Sequence, residues 1–267
     1  MSDSRLITFT TDFGLSDPFV GIMHGVVLNI QPDTRIIDLC HSIASYDIFD
    51  GAWTIAQSYQ FFPPGTVHVV VIDPGVGSAR RPIIVETERH IFVAPDNGVL
   101  SLIEANEDRF VVRHITAERF FLPSVSQTFH GRDIFAPVAG WLSKGVTPSE
   151  FGPEISDYVQ TPLPQVERVG EAGLRGVVIK VDKFGNLITN ISASDAPELF
   201  ASHAKTVNIL IAGQTLTRIC QSYAEGREDE VFAIIGSSGY LELAAKQASA
   251  AEKLAVGVGS PVGVVLG

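Results

Sequence analysis

The sequence predicts an α/β protein, with an N-terminal α/β sandwich-like domain built on a mostly parallel sheet and a smaller all-β domain after it. Two observations support this prediction. The first half of the chain alternates short β-branched runs with segments of helical period, which is typical of a sheet covered by helices. After a proline-containing stretch, short strand-like runs separated by turns dominate, which is typical of a small barrel or sandwich. We therefore divide the chain into residues 1–168, which include the linker, and residues 169–267.

In the first domain, apolar periodicity and helix start and stop signals predict the elements. Strands are expected at 6–11, 35–40, 66–72, 82–86 and 90–94, and helices at 16–30, 47–61 and 132–144. The run at 66–72 is almost continuously apolar and β-branched, as in a strand buried on both faces. The first helix is expected to begin at Ser16-Asp17-Pro18, where a capping side chain is followed by a proline that fits the first helical turn, and the last to end before Gly145.

The second domain follows a linker at 147–168 that shows little periodicity. This linker contains Pro148, Pro153, Pro162 and Pro164. Prolines at this density interrupt regular structure, so we expect an irregular connection between the domains. Beyond it, strands are predicted at 176–182, 187–191, 207–212, 231–236, 240–244 and 262–266.

Composition excludes several classes of protein. Hydrophobic residues make up 45% of the 267 residues and charged residues 18%, which is typical of a globular chain. A net charge of −11 argues against nucleic-acid binding through a basic surface. Cys40 and Cys220 lie in apolar runs, so we expect reduced core residues rather than a disulfide. The sequence shows no signal-peptide pattern, no membrane-spanning apolar run and no metal-binding motif, so we expect a cytoplasmic protein without a metal or a membrane partner.

Polar residues follow two of the predicted strands, where ligands bind in α/β sheets. Asp12, in Thr11-Asp12-Phe13-Gly14, can accept two hydrogen bonds from a vicinal diol such as a ribose, or it can serve as a turn or capping residue. Asp73 opens the turn Asp73-Pro74-Gly75-Val76-Gly77, and Arg80 follows it. These two residues can meet across the turn, either in a functional site or as a structural salt bridge. The glycine spacing does not fit a phosphate loop.

Two further clusters contain residues suited to a site. His130, in Phe129-His130-Gly131-Arg132-Asp133, would project from a loop near a helix start, although a single histidine is also common as a structural residue. Phe184 and Asn186, in Asp182-Lys183-Phe184-Gly185-Asn186, suit a flat heterocycle, because a ring can stack on the phenylalanine and the amide can read its edge. The alternative for this second segment is an ordinary turn.

The residues of these clusters and their order along the chain resemble those of the S-adenosylmethionine hydroxide adenosyltransferase family, whose relatives include the fluorinase and the chlorinase. The resemblance covers nearly the whole chain. The matching stretches are Thr11-Asp12-Phe13-Gly14, Asp73-Pro74-Gly75-Val76-Gly77 with Arg80, Ala94-Pro95-Asp96-Asn97-Gly98, Phe129-His130-Gly131-Arg132-Asp133, Phe184-Gly185-Asn186 and Ser237-Ser238-Gly239-Tyr240-Leu241.

This resemblance implies a C-terminal β-barrel and a homotrimer whose ligand lies between the N-terminal domain of one subunit and the C-terminal domain of its neighbour. It implies that Asp73, Arg80 and His130 handle the attacking water. It also implies a set of substrate contacts: Asp12 on the ribose, Asp17, Asp182 and Ser237 around the methionine ammonium, and Phe184 and Asn186 on the adenine. S-adenosylmethionine would be the substrate, and no cofactor is implied.

The implied reaction is hydrolysis of S-adenosylmethionine to adenosine and methionine by attack of water at the ribose C5′. Two alternatives stay open: a halogenase of the same family, and a noncatalytic protein that binds S-adenosylmethionine or adenosine. Halogenases carry a tyrosine where Asp73 stands, and a carboxylate there would repel a halide. The segment Ala245-Lys246-Gln247-Ala248 matches the usual sequence of the family only loosely, so its adenine contacts are left unassigned.

Overall fold

The computed structural model describes residues 5–200 and 207–266. The chain divides into two compact units, with the boundary between Pro162 and Leu163. The sequence places this boundary six residues later, after 168. The difference arises because the strand Glu167–Val169 pairs with the strand Gly173–Val181 and so belongs to the sheet of the second unit.

The first unit contains six strands and four α-helices among its described residues. The strands are β1 (Ile7–Thr11), β2 (Ile36–Cys40), β3 (Val67–Val71), β4 (Pro82–Thr87), β5 (Ile91–Pro95) and β6 (Phe110–His114), and the helices are α1 (Phe19–Ile30), α2 (Ile48–Ala56), α3 (Ser101–Asn106) and α4 (Ala136–Ser143). The strand order is β2-β1-β3-β5-β4-β6. Strands β2, β1, β3 and β5 pair in parallel, whereas β4 pairs antiparallel with both β5 and β6.

Apolar side chains from the sheet and from two helices form the core of this unit. Phe9 of β1 and Val69 of β3 pack in one buried cluster with Met23 of α1 and Ala139 of α4, and none of these side chains is exposed. Parallel strands buried in this way consist mostly of β-branched residues, as the run at 66–72 does. The α/β class predicted from the sequence is therefore confirmed.

Several elements differ from the sequence-based prediction. The second helix ends at Ala56 rather than at 61, and Tyr59–Phe61 form a 3₁₀ turn. The Ser58 hydroxyl donates to the carbonyl of Thr54, and a hydroxyl bonded in this way competes with the helical ladder. The predicted helix from 132 begins as a π-turn, Gly131–Phe135. Helix α3 and strand β6 were not predicted, because neither has a long periodic pattern.

The second unit is built on one curled sheet. Its strands are β7 (Glu167–Val169), β8 (Gly173–Val181), β9 (Leu187–Ser192), β10 (Val207–Ile211), β11 (Gln214–Leu216), β12 (Ile219–Cys220), β13 (Val231–Ile235), β14 (Tyr240–Ala245) and β15 (Pro261–Leu266). They follow the order β11-β10-β15-β8-β9-β14-β13-β12, with β7 beside β8. Strand β8 pairs with β15 through its first half and with β9 through its second half. This change of partner allows the sheet to curl around its apolar core.

The prediction of an all-β second domain needs one correction. Two short helices, α5 (Pro197–Phe200) and α6 (Ala250–Leu254), lie among the strands. Both are too short for helical periodicity to show in the sequence. The cysteines are free: Cys220 is buried, as predicted, whereas Cys40 on β2 is only partly buried. Within the ranges 5–200 and 207–266, no helix is long and apolar enough to cross a membrane.

Candidate active site

Two carboxylates lie at the same edge of the first sheet. Asp12 directly follows β1, and Asp73 follows β3 by two residues. These strands are neighbours and run in parallel, with Thr11 opposite Val71. The carboxyl ends of parallel strands meet at one edge of a sheet, so the topology gathers both side chains where α/β proteins bind ligands.

Asp73, Arg80 and His130 are in direct contact. Nε of Arg80 donates to Oδ1 of Asp73 at 2.9 Å, and Nη2 donates to the second carboxylate oxygen. The same Nη2 lies 2.7 Å from Nδ1 of His130. The side chains of Asp73 and Arg80 are 5% and 8% exposed, so the pair is shielded from water. The structure thus brings together the three residues that the family resemblance assigns to the attacking water.

The hydrogen bond from Arg80 fixes the protonation of His130. A guanidinium can only donate, so Nδ1 of His130 must accept, and a neutral imidazole then carries its proton on Nε2. Burial and the neighbouring Arg80 lower the pKa of His130, partly offset by Asp73 and Asp133. His130 is therefore neutral at neutral pH. Nη1 of Arg80 is buried and has no hydrogen-bond partner within the described part of the chain.

A close backbone approach brings the Arg80 loop to the His130 loop. Gly77 has φ of +77°, and a Cβ at this position would lie 2.3 Å from the carbonyl oxygen of Gln127. Only glycine avoids both the backbone strain of this positive φ and the clash of a Cβ with that oxygen. On the other side, the fully buried Asp133 accepts from the backbone N–H of Ser126 at 2.8 Å and from its hydroxyl at 2.7 Å. These contacts fix the segment that leads to His130.

Asp12 has one carboxylate oxygen engaged in the protein. Its Oδ2 accepts the backbone N–H of Tyr46 at 2.9 Å, and Oδ1 has no hydrogen bond within the described residues. Asp17 lies exposed in the turn before α1, where no described residue forms an ion pair with it. An aromatic cluster that the sequence did not single out, Phe13, Phe19 and Phe129, borders a cavity of about 610 Å³ in the same unit.

In the second unit, Asp182 organises the hairpin that carries Phe184 and Asn186. Oδ1 of Asp182 accepts from the backbone N–H groups of both residues, and Oδ2 accepts from the Asn186 side-chain amide at 2.9 Å. Asn186 is thus buried and fixed, whereas the Phe184 ring is 75% exposed. Gly185 has φ of +81°, and a Cβ there would lie 2.1 Å from Oγ of Ser249.

A cavity of about 590 Å³ opens beside this hairpin. Its wall consists of Asp182, Phe184, Asn186, Tyr223, Ala245, Gln247, Ala248 and Ser249. The wall therefore includes Ala245, Gln247 and Ala248, whose contacts were left unassigned from the sequence. Ser237 is exposed in the turn after β13 and does not line this cavity.

Sequence reasoning missed Tyr223 and Glu242. The Tyr223 hydroxyl donates to Oε2 of Glu242 at 3.0 Å, and Glu242 is only 6% exposed. Burial and the adjacent Glu242 raise the pKa of Tyr223 to about 12, and burial raises the pKa of Glu242. The signal was an acidic residue inside the apolar run of β14, Tyr240-Leu241-Glu242-Leu243, since a buried carboxylate needs a partner.

The chain is similar over most of its length to several proteins that carry a functional name. It is 35% identical to a protein of Salinispora tropica named (R)-S-adenosyl-L-methionine hydrolase, with 100% of both chains covered. It is 34% identical to a protein of the same name from Methanocaldococcus jannaschii, covering 89% of this chain and 87% of that one. A fluorinase from an Actinoplanes species is 27% identical over 90% of each chain.

A solved structure and two family models agree with these relatives. The crystal structure of an uncharacterized conserved protein from Thermotoga maritima matches with a TM-score of 0.90 and 31% identity, covering 97% of this chain and 99% of that chain. Residues 7–152 match the model of the SAM hydroxide adenosyltransferase N-terminal domain, and residues 176–263 match that of the C-terminal domain. The chain belongs to the SAM hydroxide adenosyltransferase family.

Proposed function

We propose that this protein hydrolyses S-adenosylmethionine to adenosine and L-methionine, by attack of an activated water or hydroxide on the ribose C5′. The observation that carries the proposal is the buried contact of Asp73, Arg80 and His130 at the carboxyl edge of the first sheet. The similarity of the chain to proteins named (R)-S-adenosyl-L-methionine hydrolase supports the same reaction.

The chemistry of the substrate explains why such a group is useful. The sulfonium of S-adenosylmethionine leaves as a neutral thioether, so the leaving group needs no proton. The nucleophile is the difficulty, because water is weak and hydroxide is scarce at neutral pH. A site that fixes one water, helps to remove its proton and stabilises the resulting negative charge addresses this step.

Arg80 is arranged to hold the nucleophile. A guanidinium has five N–H donors, and Asp73 and His130 accept three of those of Arg80. The two N–H groups on Nη1 are buried and have no partner among residues 5–200 and 207–266. A water oxygen that develops negative charge would satisfy them, in surroundings where the interaction is strong because solvent is excluded.

Asp73 is better arranged than His130 to accept the water proton. The lone pair on Nδ1 of His130 is engaged by Arg80, and Nε2 already carries the proton of the neutral ring. A carboxylate has about four acceptor positions, of which Arg80 occupies two on Asp73. His130 would then act by keeping Arg80 in place, and it could serve as the base only if that hydrogen bond broke.

The remaining residues hold the substrate on both sides of the bond that breaks. Oδ1 of Asp12 is open for a ribose hydroxyl. The cavity with Phe184 and Asn186 suits the adenine, with Tyr223 as a further wall. We keep Asp17, Asp182 and Ser237 as the proposed surroundings of the methionine ammonium. No cofactor takes part, because S-adenosylmethionine is itself the substrate.

Two other functions have less support. A halogenase would need a halide beside Asp73, and a buried carboxylate repels an anion. The fluorinase relatives are also less similar, at 26–27% identity. A noncatalytic binding protein would not need a buried arginine that is held by two partners and that has no partner among the described residues for the two N–H groups of Nη1.

We also propose a homotrimer in which each active site is completed by a neighbouring subunit, with the second unit forming a closed β-barrel. The support is that Asp12 and the contacting residues Asp73, Arg80 and His130 (the Asp73 group) lie in the first unit, whereas the cavity beside Phe184 lies in the second. Light scattering of the purified protein should give three times the mass of the 28.7 kDa chain. A stable monomer with full activity would contradict the shared site.

The position of the transferred oxygen tests the reaction. Hydrolysis in ¹⁸O-labelled water should place the label on the 5′-oxygen of adenosine and none in methionine, because the site directs water at C5′. A chirally deuterated substrate should show inversion at C5′, as a single in-line displacement requires. Labelled methanol would mean attack at the methyl carbon, and net retention would mean a covalent intermediate. Either result, or no turnover at all, would reject the proposed reaction.

A further inference from the structure

We infer that His41 is a positioning residue for ribose recognition, because it holds the loop that carries Asp12 at both ends. The inference rests on the proposed role of Asp12. His41 directly follows β2, the edge strand beside β1, and only 5% of it is exposed. It does not belong to the Asp73 group.

The loop at 11–14 is attached to His41 through two separate contacts. At the start of the loop, Nδ1 of His41 lies 2.8 Å from the hydroxyl oxygen of Thr11, which is fully buried. At the end of the loop, the carbonyl oxygen of His41 accepts the backbone N–H of Gly14 at 2.8 Å. One residue therefore fixes both ends of the segment that contains Asp12.

The contacts of the imidazole connect Asp38 to the loop that carries Asp12. Nε2 of His41 lies 2.9 Å from Oδ1 of Asp38, although the angles of this contact are not those of a hydrogen bond. The carboxylate beside Nε2 favours the tautomer that carries the ring proton on that nitrogen, and in this tautomer Nδ1 accepts from the Thr11 hydroxyl. The Thr11 oxygen in turn accepts the backbone N–H of Phe13 at 3.2 Å. This chain leads from Asp38 to the residue after Asp12.

The segment after His41 also sets the carboxylate of Asp12. Five residues further on, Tyr46 adopts φ of +68° and donates its backbone N–H to Oδ2 of Asp12. Since Oδ2 already accepts this N–H, Oδ1 is the oxygen that keeps both of its acceptor positions for a ligand. A small displacement of the loop would change the direction of Oδ1, and hydrogen bonding to a ribose hydroxyl depends on that direction.

The test compares two nucleosides that differ only in the ribose hydroxyls. Calorimetry should show that the wild-type protein binds adenosine at least about tenfold more tightly than 2′,3′-dideoxyadenosine, because Asp12 loses its partners with the second ligand. His41→Phe should reduce this ratio to about two- or threefold. It should raise KM for S-adenosylmethionine while changing kcat by less than about threefold. His41→Gln, which keeps a hydrogen-bonding side chain, should restore part of the ratio.

Two further variants keep the test decisive. Thr11→Val removes one hydroxyl at nearly constant volume and should reduce the ratio as His41→Phe does, so it substitutes for that variant if the latter fails to fold. The control is His24→Gln: Nε2 of His24 also contacts Asp38 at 2.8 Å, but the described part of the chain shows no hydrogen bond or ring contact between His24 and residues 11–14. The ratio should stay at the wild-type value in this control.

The outcomes separate this inference from the proposed function. If the wild-type protein distinguishes the two nucleosides but folded His41→Phe or Thr11→Val keeps the full ratio, His41 has no positioning role. If the wild-type protein does not distinguish them, Asp12 does not hold the ribose, and the inference fails with that assignment. The ¹⁸O experiment judges hydrolysis independently of both results.

Discussion

Replacing Arg80 with lysine is expected to lower kcat by about 10²- to 10³-fold while changing the affinity for S-adenosylmethionine by less than about threefold. Lysine keeps the charge but loses the planar fork of donors. A single ammonium cannot hold both oxygens of Asp73, reach Nδ1 of His130 and still present two donors to a water. The nucleophile would therefore lose its orientation, although the substrate keeps its own contacts.

Arg81 provides a matched control for this variant. It is the next residue along the chain, and it also binds carboxylates: Nε donates to Asp96 and Nη1 to Asp157, both at 2.8 Å. These contacts serve the structure of the first unit. Arg81→Lys should leave kcat within about twofold of the wild-type value. Stopped-time assays of adenosine formation give kcat, and calorimetry gives the affinity.

Other variants of the site should divide into two groups. Asp73→Ala and His130→Ala should lower kcat much more than affinity, as Arg80→Lys does, because we propose that Asp73 and Arg80 act on the water and that His130 holds Arg80 in place. Asp12→Ala should instead weaken binding, because it would remove the proposed hydrogen bonds to the ribose. If the variants of Asp73, Arg80 and His130 lose as much affinity as Asp12→Ala, their assignment to the nucleophile is wrong.

The sequence could predict contacts that are close along the chain or follow from parallel strand order. Asp73 and Arg80 are seven residues apart around a glycine-containing turn, so a charged pair was a reasonable expectation, and the structure contains it. Asp12 and Asp73 each follow a predicted strand, so their position at strand ends was expected, whereas the pairing of those two strands comes from the structure. The class of the fold follows from the same strand and helix pattern.

Contacts between distant segments could not be predicted from single residues. The hydrogen bond of Arg80 to His130 depends on the approach of Gly77 to Gln127, and no local pattern specifies which carbonyl a glycine will meet. The pairing of Tyr223 with Glu242 likewise depends on how a loop packs against β14. A buried glutamate indicates that a partner exists, but it does not say which residue that is.

The second large effect concerns the pH dependence of stability, which two buried groups should influence in opposite directions. His68 on β3 is fully buried: Nδ1 lies 2.7 Å from the Thr8 hydroxyl, and Nε2 lies 3.4 Å from Nδ1 of His90. Burial, with a smaller effect of His90, lowers the pKa of His68 from 6.5 to about 3. Glu104 on α3 is 8% exposed, and burial raises its pKa from 4.5 to about 7.

The sign of each effect follows from which state binds the proton. Between about pH 6.5 and 3, the unfolded chain protonates His68 and the folded protein does not, so this group makes the folded state less stable as the pH falls. Between about pH 4.5 and 7, the folded protein keeps the proton of Glu104 and the unfolded chain releases it. Glu104 therefore makes the folded state less stable as the pH rises. In the shared window, about pH 4.5 to 6.5, the two contributions oppose each other.

Removing one group at a time should reveal the effect of the other group on the pH dependence of stability. Each contributes a slope of up to about 1.4 kcal/mol per pH unit to the free energy of unfolding. Relative to the wild-type protein, Glu104→Gln should become more stable with rising pH across this window, because the His68 term is no longer opposed. His68→Gln should become less stable with rising pH, whatever its overall loss of stability. Urea unfolding from pH 4.5 to 6.5 measures these slopes, and the double variant should have nearly the wild-type slope, because both terms are absent. Single variants whose slopes remain parallel to the wild-type curve would show that neither group titrates differently in the folded protein.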